Sequence, residues 1–225
     1  MTHAVTRKTT RKRAVRAFNG EGAKKALQAA EFGPGMEAFG FNKGQFSVID
    51  LIEAALSYSG PADVTIATWT AADADLRRVA SQLEDKRIRK ITWLVDYSFE
   101  TRQPVFCRTM RSLFGDETIR TVASHAKFAL ISNDDWKLVL QTSMNLNQNK
   151  RLENFWLADD PDLFEAYSSL VTDIFDLQPN GEQFGKKPSE KRNQMTALGR
   201  DQNDMFEGIA SVGTFAPDLS GPDDL

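Results

Sequence analysis

Ser124-His125-Ala126-Lys127-Phe128-Ala129-Leu130-Ile131-Ser132 is followed, after Asn133-Asp134-Asp135-Trp136, by Lys137-Leu138-Val139-Leu140-Gln141-Thr142-Ser143-Met144-Asn145. Two apolar runs around a turn-rich tetrad read as a β-hairpin. Strand side chains alternate between faces, so His125 and Lys127 are expected on one face, and Ser143 and Asn145 on one face of the partner strand. Pairing His125 opposite Ser143 would bring all four groups to one patch. Such a patch suits a phosphate. A neutral imidazole can attack phosphorus, an ammonium can neutralise the non-bridging oxygens, and hydroxyl and amide groups can orient them.

The pattern resembles the HKD motif of the phospholipase D superfamily, whose members hydrolyse or transfer phosphodiesters without a metal. That motif runs His-x-Lys, then an Asp, then Gly, a hydroxyl residue, any residue and Asn. His125, Lys127, Ser143 and Asn145 match it, and Glu153 is the counterpart of an acidic residue that often follows. The motif's Asp falls on Ser132, and its Gly on Thr142. The resemblance covers about residues 41 to 178, with the hairpin as its specific part. It implies an α/β fold with a mixed β-sheet flanked by helices on both faces.

The chain holds 2 histidines. His3 lies in a polar, basic stretch, which leaves His125 for a folded site. In the resembled superfamily one histidine forms a phosphohistidine, while a second protonates the leaving oxygen and then activates water. One motif per chain therefore implies a homodimer, as in the small bacterial endonuclease type, with the same patch meeting itself on a two-fold axis. Catalytic roles are expected for His125, Lys127, Ser143 and Asn145, with Glu153 orienting His125. No cofactor and no metal are expected. The single Cys107 excludes an internal disulfide, and one chain cannot assemble a Cys/His metal cluster.

With 225 residues, of which 41% are hydrophobic, the chain can support one domain of about 150 residues plus extensions. It has no run of about 18 apolar residues and no apolar N-terminal signal, so no membrane span and a cytoplasmic location are expected. The formal charge of -3 conceals an asymmetry. Arg7, Lys8, Arg11, Lys12, Arg13, Arg16, Lys24 and Lys25 face only Glu21 in the first 25 residues. This arm suits nucleic-acid phosphates or an anionic partner, and equally suits a solvated tail.

Residues 1 to 40 are expected to form a flexible basic extension, with Gly33-Pro34-Gly35 and Gly40 as an irregular approach. Ser47 precedes an amphipathic helix from Val48 to Leu56 that stops before Gly60-Pro61. A strand is expected over 63–68, and Thr70-Ala71-Ala72-Asp73 has the capping-box form ahead of a helix to about Lys86. Further strands are expected over 90–95, 118–122 and 154–157. Helices are expected over 105–114 and 163–175, the latter introduced by Pro161. Trp93, Phe155 and Trp156 read as core, whereas Trp69, Tyr97 and Asp96 fall just past strand ends, where ligand clefts form. Residues 179–225 read as a polar, disordered or partner-docked tail, with Phe206, Ile209, Val212 and Phe215 as its anchors.

These readings converge on a homodimeric, metal-independent nuclease acting through a phosphohistidine. The basic arm favours nucleic acid over phospholipid, which remains the second substrate. The competing reading is a non-catalytic protein of the same scaffold that binds nucleic acid or serves a larger assembly through its extensions. Ser132, Thr142 and the long extensions favour that alternative.

Overall fold

A computed structural model of the chain describes residues 13–15, 22–147, 150–178, 180–181, 183–187 and 189–190. In chain order the elements are β1 (Arg13–Val15), α1 (Ala23–Ala29), β2 (Glu37–Asn42), α2 (Val48–Ser59), β3 (Ala62–Thr68), α3 (Asp73–Glu84), β4 (Ile88–Asp96), α4 (Phe99–Arg102), α5 (Pro104–Phe114), β5 (Ile119–Val122), β6 (Phe128–Ser132), β7 (Lys137–Thr142), β8 (Glu153–Asp159) and α6 (Pro161–Leu177). The strands form one mixed eight-stranded sheet, β1-β2-β8-β7-β6-β3-β4-β5. β3, β4 and β5 run parallel, whereas β2, β8, β7, β6 and β3 are successively antiparallel. Helices cover both faces, giving the expected α/β architecture.

The larger core lies on the face carrying α1, α2, α3 and α5. Leu51, Ile52, Ile66, Leu76, Ile88 and Trp93 are fully buried there. Each such side chain contributes roughly 1.5–3 kcal/mol of burial free energy. α2 starts where Ser47 and Asp50 form a reciprocal capping box. On the opposite face, α6 lays Val171 and Ile174 over Ala67, Leu94, Phe128, Leu130 and Val139. Asp160 caps that helix by accepting hydrogen bonds from the backbone N–H groups of Asp162 and Leu163, both at 3.1 Å. Pro161 follows at the first helical position, where its missing N–H costs nothing.

Three expectations change. The domain does not begin at Phe41: α1 buries Ala23, Ala26 and Leu27 in the larger core, and β2 pairs with β8 from Glu37 onward. At the other end the packing continues past Gln178, because buried Gln183 donates its amide to the Ile119 carbonyl at 2.8 Å and Arg111 lies over the Phe184 ring at 4.3 Å. The remainder of the basic arm and the residues from 191 onward, including the four tail anchors, lie outside the described residues. Finally, α3 is not capped by Thr70. Its N-cap is Ala72, without a side-chain bond. The Thr70–Ala72 backbone is instead engaged by Leu146: Leu146 N–H donates to Thr70 O at 3.2 Å, and Ala72 N–H donates to Leu146 O at 2.8 Å.

Candidate active site

The hairpin forms over a shorter span than its residue types suggest. β6 and β7 pair with Phe128 opposite Gln141, and the register continues as Thr142 N–H donates to Lys127 O at 3.1 Å. His125 is therefore not opposite Ser143, and residues 124–127 are not strand. Sheet order gives the reason. β5 and β6 are separated by β4 and β3, so residues 123–127 must cross three strand spacings, roughly 14 Å, over the ends of both strands. The six Cα–Cα steps from Val122 to Phe128 reach roughly 20 Å, so the link makes the crossing with slack for local turns. It runs across the sheet end instead of joining its ladder.

Two local devices hold the crossing. Ser124 N–H donates to Val122 O at 3.1 Å and to Asp96 Oδ2 at 3.3 Å, and Ala126 N–H donates to Ser124 Oγ at 3.0 Å. The crossing places His125 beside Trp69, the residue that follows β3, with ring centroids 5.5 Å apart. Arg102 covers Trp69 with its guanidinium 3.6 Å from the ring centroid and donates to Trp69 O at 2.7 Å. Asp96 in turn accepts from Ser98 N–H at 3.0 Å and lies 3.8 Å from Arg102. Burial pushes the Arg102 guanidinium down, and the Asp96 carboxylate opposes that shift. Asp96, Trp69 and Arg102 thus form one brace behind the imidazole, and Tyr97 pairs its N–H with Val122 O at 2.9 Å.

Lys127 is buried, at 9% exposure, next to an exposed His125. Its Nζ lies 3.1 Å from His125 Nδ1 and donates to His125 O at 2.8 Å. Burial pushes its ammonium down, and the negative charge of Glu153 offsets part of that shift. A charged Lys127 has no acceptor, so Nδ1 must accept, and neutral His125 then carries its proton on Nε2.

Ser143 is exposed and donates its hydroxyl to Glu153, while its Oγ accepts from Asn154 N–H at 3.0 Å. The structure thus joins His125 to Lys127, and Ser143 to Glu153, with Lys127 and Glu153 coupled by charge. Asn145 sits on the segment pinned by Leu146 to Thr70 and Ala72. Its Oδ1 is buried with no hydrogen-bond partner among the described residues.

The two departures from the motif have different locations. Thr142 Oγ1 donates to Asn154 O at 2.7 Å and accepts from Met144 N–H at 3.0 Å, so this hydroxyl shapes the turn carrying Ser143 and Asn145. Ser132 lies at the far end of β6, roughly 16 Å from Lys127 at strand rise. Its backbone carbonyl accepts from Arg89 at 3.4 Å.

A further group escaped the sequence reading. Trp156, assigned there to the core, is only half-buried, whereas Trp93 and Phe155 are fully buried. With Phe39 and Tyr167 it lines a cleft of about 430 Å³ that also reaches Lys127 and Ser143. Its alternation with buried Phe155 and Leu157 along β8 was the signal for an outward-facing ring.

No protein-family model matches the chain, and no curated protein sequence matches it. Among solved structures, it is similar to a phospholipase D family member, Nuc from Salmonella typhimurium, at 15% identity and a TM-score of 0.46, covering 62% of this chain and 93% of that one. NucT from Helicobacter pylori aligns at 13% identity and a TM-score of 0.46, over 62% of this chain and 96% of NucT. Polyphosphate kinase from Porphyromonas gingivalis aligns at 15% identity and a TM-score of 0.44, over 76% of this chain but only 32% of the kinase. Among the described residues, no helix is long and apolar enough to cross a membrane.

Proposed function

We propose that the chain is a metal-independent phosphodiesterase that cuts nucleic acid as a homodimer through a phosphohistidine. The supporting observation is the pairing of a buried ammonium with an exposed imidazole: Lys127 Nζ lies 3.1 Å from His125 Nδ1. A phosphoryl oxygen is a stronger partner for that ammonium than a neutral ring nitrogen is. Anion binding would draw Lys127 off Nδ1, let the proton move there, and leave the Nε2 lone pair free to attack.

In the first half-reaction His125 of one copy forms an N–P bond as the P–O bond to the leaving oxygen breaks. The protonated His125 of the second copy gives its proton to that oxygen. In the second half-reaction the same histidine takes a proton from water, the water oxygen bonds to phosphorus, and the N–P bond breaks. Lys127 carries the charge of the non-bridging oxygens, Ser143 and Asn145 orient them, and Glu153 steers the site through Ser143 and Lys127.

The test is cleavage of single- and double-stranded DNA and RNA in EDTA by wild type and His125→Asn, with acid-labile radiolabel sought on the protein. EDTA-resistant cutting and labelling, both lost in the variant, sustain the proposal. A verified dimer that neither cuts nor labels on nucleic acid or on phospholipid sinks it.

A second reading, a nucleic-acid-binding or assembly protein without turnover, is favoured by Ser143. Its hydroxyl proton is committed to Glu153 and its oxygen to Asn154, so holding a phosphoryl oxygen requires breaking a bond. Such a protein would keep its affinity for nucleic acid in His125→Asn.

A further inference from the structure

Phe39, Trp156 and Gln141 stand opposite one another on adjacent strands β2, β8 and β7, forming one row across the sheet. Tyr167 rises over that row from α6, meeting Phe128 edge-on with centroids 4.8 Å apart. The result is the cleft of about 430 Å³ whose lining runs from these rings to Lys127 and Ser143. That volume lies in the range of small-ligand sites and holds one ring system with a sugar.

Hydrogen bonds within the protein fix the Trp156 and Tyr167 rings in place. Trp156 Nε1 donates to buried Glu37 at 2.8 Å, and the Tyr167 hydroxyl is hydrogen-bonded to the Gln141 amide. The Trp156 N–H is thus spent on buried Glu37, and the Tyr167 oxygen accepts from Gln141, so the rings meet the cleft chiefly with their π surfaces. Fixed ring orientation also spares a ligand the cost of ordering them. A surface of this kind takes a flat, polarisable ring by stacking and does not read its edge.

From this arrangement we infer that the cleft is a nucleobase subsite, in which Trp156 stacks on the base next to a phosphate held at Lys127. The occupant is a single-stranded polynucleotide, because a base inside a duplex has no free face for Trp156. The inference rests on the reading of Lys127 as a phosphodiester site but not on turnover. Stacking on three aromatic walls gives affinity with little sequence preference, while the ammonium at one end fixes register along the strand.

The test uses the full-length chain and a fluorescently labelled oligothymidylate, with anisotropy as the readout. Trp156→Ala should weaken binding about tenfold or more. Trp156→Phe should stay within about threefold of wild type, and affinity for inorganic phosphate should not change in either variant. Duplex of the same length should be insensitive to Trp156→Ala. If Trp156→Ala unfolds, Phe39→Ala reads the same wall and should lower strand affinity in the same direction. Unchanged strand affinity in a folded Trp156→Ala overturns the inference. So does a variant that loses only its dimer, which makes the cleft a subunit interface, or one that loses only affinity for phosphatidylglycerol vesicles, which makes it a lipid site. Absence of cleavage with Trp156-dependent strand binding would defeat the phosphodiesterase reading and leave the subsite standing.

Discussion

The two ends of β6 spend their polar groups in opposite ways. At the turn end, Asn133 Oδ1 accepts the N–H groups of Asp135 and Trp136, both at 3.0 Å. Its amide donates to Ser59 O at 2.8 Å and Pro61 O at 3.3 Å, and its carbonyl accepts from Lys137 Nζ at 2.6 Å. At the other end a buried ammonium has only His125 Nδ1 and O as hydrogen-bond partners among the described residues, which leaves one of its three N–H donors unmet. Hydrogen-bonding capacity left unmet at a buried site opposes folding and is available to a ligand. One end of the strand thus stabilises the hairpin, and the other would, in the proposed function, offer its unmet ammonium donor to an anion.

The largest expected effect falls on rate at the ammonium end. His125→Asn should lower nucleic-acid cleavage more than about 10³-fold, since in the proposed mechanism the residue would serve as nucleophile in one copy and acid in the other. His125 is exposed, so thermal unfolding should move by no more than about 0.5 kcal/mol. Retained cleavage, measured in EDTA, would remove the catalytic half of the comparison.

Lys127→Met should act in opposite directions on binding and stability. The folded-state pKa of Lys127 lies below its unfolded value, so the charged side chain opposes folding. That penalty is full below the folded pKa and is relieved as pH rises through it toward the unfolded value. The variant should therefore unfold at a higher temperature than wild type at neutral pH, with the gap narrowing in alkali, and should lose affinity for inorganic phosphate. A lower melting temperature at neutral pH would mean that Lys127 holds the fold together.

Asn133→Ala tests the opposite end. Removing a side chain that bonds two N–H groups and two carbonyls should cost about 1–2 kcal/mol by chemical denaturation while cleavage per folded molecule stays unchanged. A change in cleavage at matched folded fraction would show that the two ends are coupled.

The sequence made most of the scaffold legible because its core elements are locally determined. Ser47 with the apolar period after it defines α2, and Pro161 with Leu163 to Phe175 defines α6. The crossing that carries His125 was not legible, because its conformation follows from β5 and β6 lying three strands apart, and order in a sheet is a non-local property. The motif's expected pairing of His125 opposite Ser143 does not form: His125 and Lys127 meet within the loop before β6, and the hairpin begins only at Phe128. The start of the domain was misplaced for a related reason. Ala23, Ala26 and Leu27 make a short stripe beside lysines, and only the groove provided by α2 makes it core. The brace of Asp96, Arg102 and Trp69 left two hints, an acidic residue and an aromatic one at the ends of β4 and β3, but the joining Arg102 had no signal of its own.

The smallest expected effect is the most direct test of how far the departures from the motif matter. Ser132→Asp restores the acidic residue that the resembled motif carries, so a reading based on motif completeness predicts a gain in cleavage. The fold predicts none. Position 132 closes β6 at the turn end, opposite Asp63 on β3, roughly 16 Å from Lys127. A carboxylate there would face the Asp63 carboxylate across the strands, a repulsion that Arg89, paired with Asp63 at 3.1 Å, would offset. The net change in stability should stay within about 0.5 kcal/mol, as for other half-exposed substitutions without a buried partner. Cleavage and phosphate affinity should equal those of wild type. Activity rising severalfold in Ser132→Asp would show that the turn end reaches the site, and the division between the two ends of β6 would have to be given up.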